Sequence, residues 1–110
     1  MSVPQIVTGN TVSLAVTLYK NSATFAIGGT AVVQATLVSS NHLVKILPTP
    51  ISISSATSGS NWSASRVVVV IPANAVYAEY YGDAKLEIKV TESGVSDTWF
   101  VDVEIVKGNI

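Results

Sequence analysis

Cysteine is absent from this 110-residue chain, and histidine and methionine occur once each. Without thiols, neither a disulfide nor a thiolate metal site can form, which argues against a small secreted disulfide scaffold. Charge is scarce as well. Lys, Arg, Asp and Glu make up 12% of the residues, against roughly 25% in an ordinary soluble domain. The formal net charge is −1 and the mean hydropathy is +0.47. The 6 Lys and Arg residues are scattered, so no basic footprint for nucleic acid exists. Long apolar runs are missing too. Val67–Ile71 is the longest, far short of the roughly 20 residues that a membrane-spanning helix needs. Met1–Gln5 lacks the basic start and apolar stretch of a signal peptide. Neither a nucleic-acid nor a membrane partner is therefore expected.

What is present points to strands. Val (18) and Ile (9) far outnumber Leu (6), and Thr adds 10. Branching at Cβ restricts χ1 and suits a pleated, half-buried surface better than a helix. The length is that of one domain, residues 1–110, with residues 1–5 expected as an extended arm. A chain this long buries roughly 65% of its unfolded surface, enough for a core without staples.

Turn signals cut the chain into short segments, the pattern of a sandwich or barrel. Thr11–Tyr19 alternates cleanly, with Val12, Leu14, Val16 and Leu18 on one face. Lys20-Asn21-Ser22 reads as a tight turn, Ala23–Ile27 as the return, and Gly28-Gly29 as a break. Ala31–Val38 follows, with Val33, Ala35 and Leu37 expected in the core. Ser39–His42 is a turn and Leu43–Leu47 a strand; Pro48 and Pro50 bracket a bend. Ile51–Ser55 is expected as an edge strand, because nearby prolines cannot donate to a ladder, and Thr57–Asn61 as a loop. Ser65–Ile71 is apolar on both faces and is expected to be covered on both. Ala73–Tyr81 is the one expected helix, about two turns. Asp83–Thr91 and Ser96–Val106 should pair as a hairpin around Glu92-Ser93-Gly94. Ala84, Leu86, Ile88 and Val90 face inward there, as do Trp99, Val101, Val103 and Ile105. Lys85, Lys89, Asp102 and Glu104 are placed to exchange charge on the wet face. The expected fold is all-β, an antiparallel sandwich of seven to nine strands with one short helix.

Catalytic apparatus is not recognisable. His42, the single histidine, sits in a turn without the nucleophile and orienting group that a triad requires. The seven carboxylates fall on outward faces or turns, not as a converging pair of the glycosidase type. Gly28-Gly29 is not followed by the Lys-Ser/Thr of a phosphate loop. Neither enzymatic activity nor a cofactor is expected. Asn61-Trp62-Ser63 matches the glycosylation sequon but lacks a secretory signal, and is read as chance.

The shortage of charge has two readings. Ser, Thr and Asn could cover the surface, since Ser alone contributes 14 residues. Alternatively part of the surface is buried in an assembly, which near-zero net charge favours. The residues named as a candidate interface are Trp62, Val68, Val70, Tyr77, Tyr80 and Tyr81. Trp62 either plugs one end of the sandwich or anchors a partner, and the three tyrosines are open to the same alternatives.

Beyond this grammar, three stretches carry a family resemblance. They are Val7-Thr8-Gly9-Asn10-Thr11 leading into Leu14–Asn21, then Ala31–Ser39, then Ala84–Ile88 closing in Thr98–Val101 and Val106-Lys107-Gly108. Together, over about residues 5 to 108, the chain resembles the Ig-like N-terminal domain of tailed-phage baseplate upper proteins and related head-fibre and decoration proteins. The resemblance implies an Ig-like sandwich, a virion location and no catalytic residues. A sequence ending at Ile110, without the stalk of the fibre-bearing relatives, leads us to expect a capsid decoration or cement protein. Such a protein binds the major capsid protein and itself, as dimers or trimers. A tail or baseplate component is the alternative from the same resemblance. A carbohydrate-binding or adhesion module is the alternative from another class; its aromatic platform would be Trp62 with Tyr77, Tyr80 or Tyr81.

Overall fold

Ten strands account for the regular structure of the computed structural model, which describes residues 3–54 and 60–108. They are β1 (Gln5–Val7), β2 (Val12–Thr17), β3 (Tyr19–Lys20), β4 (Ala23–Thr24), β5 (Val32–Ser39), β6 (Ile51–Ile53), β7 (Asn61–Ser63), β8 (Arg66–Ile71), β9 (Gly82–Glu92) and β10 (Val95–Val106). Among the described residues no helix is found, and the fold is all-β.

The longest pairing joins β9 to β10, antiparallel from Glu92 opposite Val95 to Gly82 opposite Ile105. Its loop is Ser93-Gly94, with φ of 53° and 80°. Two left-handed central residues give the turn whose twist matches that of the strands, and glycine enters that region without a Cβ penalty. β5 pairs with the far side of β9, β6 with β5, and β1 runs parallel to the end of β10. This five-stranded sheet has the order β1-β10-β9-β5-β6. A second sheet, β2-β8-β7, is antiparallel throughout. The small hairpin β3–β4 turns on Asn21-Ser22, again both at positive φ.

One apolar cluster lies between the two larger sheets. Val33, Ala35, Leu37, Ala84, Leu86, Ile88, Val90, Val103 and Ile105 enter it from the first sheet; Val67, Val69 and Ile71 enter from the second. The inward phase expected for β2, β5, β9 and β10 is the observed one. This arrangement is consistent with a β-sandwich.

Several expectations need correction. The predicted helix Ala73–Tyr81 does not form. The Ala75 N–H makes a single turn onto the Pro72 carbonyl at 3.0 Å, and the Ala78 N–H goes to Ile46 O at 2.7 Å. Two turns of helix gain too little to nucleate alone, whereas the irregular path packs Ala75, Tyr77 and Tyr80 on the core. Leu43–Leu47 is not a strand; it touches β5 through one bridge, Lys45 to Val38. Its Ile46 and Leu47 are nonetheless buried, held by N–H bonds to the Leu37 carbonyl. Ten strands exceed the expected seven to nine: Gln5, expected in an arm, belongs to β1, Tyr19–Lys20 separates from β2 as β3, and Asn61, expected in a loop, opens β7, while Leu43–Leu47 drops out. β6 is an edge strand as expected; Ser55 and most of the expected loop Thr57–Asn61 lie outside the described residues.

Candidate interaction surface

The two larger sheets present very different outer faces. On β9 and β10 the outward positions carry charge: Lys85, Glu87, Lys89, Asp102 and Glu104. Lys85 Nζ meets Asp102 Oδ1 at 2.5 Å across the register pair. Gln5 Nε2 donates to Glu104 Oε1 at 2.9 Å. The charge exchange expected on this face is therefore realised for Lys85 and Asp102, while Lys89 stands opposite Thr98.

The outer face of β2, β8 and β7 is nearly neutral. Its strand positions are Ser13, Ala15 and Thr17, then Arg66, Val68 and Val70, then Asn61 and Ser63. Arg66 alone carries charge, at one end. Val68 and Val70 are half-buried, while Val67, Val69 and Ile71 behind them are fully buried. β8 is thus covered completely on its core side only. The backbone of Val70 is capped by the Ser60 hydroxyl, which accepts from its N–H at 2.9 Å and donates to its carbonyl at 3.2 Å.

The other named interface residues divide. Trp62 stands opposite inward-facing Val67 and packs against the core, the plug geometry rather than the anchor. Tyr77 and Tyr80 also pack against the core. Tyr80 donates its hydroxyl to the Asp83 carbonyl at 2.5 Å. The Tyr77 hydroxyl is buried without a hydrogen-bond partner among the described residues, and burial raises its pKa above the ordinary 10.0. Tyr81 remains exposed, at 46%. The structure therefore sets Val68 and Val70 among neutral neighbours on the outer face, with Trp62 on the opposite face of its sheet.

Other exposed apolar residues, Phe100, Leu43 and Val76 among them, lie outside the six named. Phe100 was expected to face outward, and does, but its contact was not foreseen: the His42 ring meets it edge-on, centroids 5.0 Å apart. His42 is an exposed turn residue at φ 64°, yet it has this partner, which no local pattern reveals. Leu43 and Val76 are 82% and 78% exposed. A shallow groove of about 220 Å³ on the charged face is lined by Gln34, Thr36, Lys45, Pro50, Glu87 and Lys89. Among the described residues no three His, Asp or Glu side chains gather as a metal-ligand set. No protein-family model matches the chain, and no curated protein matches it in sequence.

Proposed function

We propose that the chain is a structural protein of a tailed-phage virion, a decoration or cement protein that seats on the outer surface of the capsid and stabilises it. The observation that carries the reading is the neutral outer face of β2, β8 and β7, built on Ser13, Ala15, Thr17, Val68 and Val70 in a chain short of charge. A surface with few charges is cheap to desolvate against another protein, because no ion must be stripped of water. The choice of assembly is supported by the resemblance of Val7–Thr11, Leu14–Asn21, Ala31–Ser39, Ala84–Ile88, Thr98–Val101 and Val106–Gly108 to phage baseplate, head-fibre and decoration domains. An Ig-like sandwich is part of the same reading, supported by the β1-β10-β9-β5-β6 and β2-β8-β7 orders.

Stabilisation follows from mass action. A protein that binds the assembled shell and not its dispersed subunits lowers the free energy of the shell. Many modest contacts suffice, since shell symmetry repeats the same surface. The test is to remove the protein from virions, by stripping or gene deletion, and to follow heat and chelator resistance of DNA-filled heads. Heads that become fragile support the reading. Unchanged heads, with the protein recovered in isolated tails, move it to a baseplate component. The partial burial of Trp62, Tyr77 and Tyr80 against the core favours this reading over a carbohydrate-binding platform.

A further inference from the structure

The side of the sandwich where β2 ends the second sheet is unfinished. β2 pairs with β8 on one side only. Among the described residues no strand lies along its other edge. Its inward residues report the gap: Val12, Leu14 and Val16 are half-buried, while Val67, Val69 and Ile71 on the neighbouring strand are fully buried. Across the core, β10 is bordered by β1 only at Glu104–Val106, and inward-facing Val101 is half-buried too. The hairpin β3–β4 closes this side at one end only, where the Trp99 indole donates to the Tyr19 carbonyl at 2.9 Å.

Natural sheet edges are normally guarded by charge, proline, a bulge or extreme shortness. β2 reads Val-Ser-Leu-Ala-Val-Thr over six residues, without charge or proline. The other edges are guarded: β1, β6 and β7 have three residues each, and β6 follows Pro48 and Pro50.

We propose that β2 pairs antiparallel with β2 of a second copy of this chain about a two-fold axis, joining two three-stranded sheets into one of six. The sequence suits a copy of itself. Residues directly opposite in an antiparallel pair share a face, so continuity of both cores requires pairing of like-facing positions. An axis at Leu14 does this: Leu14 meets Leu14, Val12 meets Val16, and Ser13 meets Ala15. Two β-branched pairs and a leucine pair then cover the half-open core rim, and only neutral side chains meet on the outside. A two-fold contact is self-complementary and closes as a dimer. The dimer also doubles the neutral outer face on which the proposed function rests, and it gives a surface to the self-association that the family resemblance implies.

The experiment uses the whole chain and two double variants at exposed positions of β2. Ser13→Lys with Ala15→Lys puts like charges opposite each other twice. Ser13→Lys with Ala15→Glu puts opposite charges there. Analytical ultracentrifugation over a concentration series should show a wild-type dimer. The Lys/Lys variant should raise the dissociation constant about tenfold or more, and the Lys/Glu variant should restore it. Circular dichroism and melting of each variant confirm that the monomer fold is kept. Because the chain has no cysteine, Leu14→Cys gives a second readout: under mild oxidation it should cross-link as a dimer, while Thr36→Cys should not. A wild-type dimer untouched by Lys/Lys, with Leu14→Cys not cross-linking, overturns the β2 edge and leaves self-association standing. A wild-type chain that is monomeric at every concentration overturns both, without bearing on capsid attachment.

Discussion

Trp99 on β10 reaches across the open side of the sandwich and donates its indole N–H to the backbone carbonyl of Tyr19 at 2.9 Å. The Phe25 ring packs against the same indole, centroids 4.8 Å apart. One side chain thus ties the last strand to the β3–β4 hairpin. Trp99→Phe keeps an aromatic ring and removes the donor, and should cost about 1 kcal/mol. Trp99→Ala removes both and should cost about 3 kcal/mol. Urea melts of the two variants separate the terms; a Trp99→Phe protein as stable as wild type would mean that the hydrogen bond contributes nothing, and equal losses would mean that the ring packing adds nothing.

A charge in the core should discriminate between the two sheets. Ile88 is fully buried at the middle of β9, so Ile88→Asp strands an unpaired carboxylate and should cost about 4 kcal/mol or more. That is most of a small domain's stability. From sequence alone Val16→Asp is equally severe. In the structure Val16 is half-buried on an edge strand, where a carboxylate can reach water, and about 1–2 kcal/mol is expected. Thermal melting decides; a fully folded Ile88→Asp protein would mean that the faces are reversed.

How much of this was legible in the sequence follows from the range of the interactions. Period-two alternation placed Leu86, Ile88 and Val103 in the core, because each position answers to a strand's own geometry. Turn chemistry at Asn21-Ser22 and Ser93-Gly94 was readable for the same reason. Ala73–Tyr81 misled because helix pattern and irregular packing compete there, and a hydrogen bond from Ala78 to Ile46 decided it. The neutral face was half visible. Val68 and Val70 were named, but Ser13, Ala15 and Asn61 join them only through strand pairing. Trp62 could be either plug or anchor until its register opposite Val67 was known.

The buried Tyr77 hydroxyl lacks a partner among the described residues. Tyr77→Phe should therefore be neutral or stabilising by up to about 1 kcal/mol. It should also alter the alkaline limb. The folded phenol holds its proton above the ordinary 10.0, so the unfolded chain ionises first. This contribution is fully present below pH 10 and is lost as pH rises through the folded-state pKa. The stability difference between wild type and Tyr77→Phe, measured from about pH 8 to 11, should be flat and then shift in favour of the variant. A large loss at neutral pH would show that the hydroxyl has a partner.

His42→Ala removes the edge-on contact with Phe100. A cost of about 0.5–1 kcal/mol is expected, with self-association and capsid attachment unchanged. Loss of attachment in a normally melting protein would overturn the reading of His42 as a turn residue without chemistry.

The central claim is that a neutral surface seats this domain on a capsid. It is tested most directly by adding the purified chain back to stripped heads and to isolated tails, and measuring bound protein by sedimentation across a salt series. The account predicts saturable binding to heads in fixed ratio to the shell subunit, retained at about 1 M salt because exposed ion pairs do not carry it. Binding that disappears as salt rises, or that occurs on tails and not on heads, would contradict it.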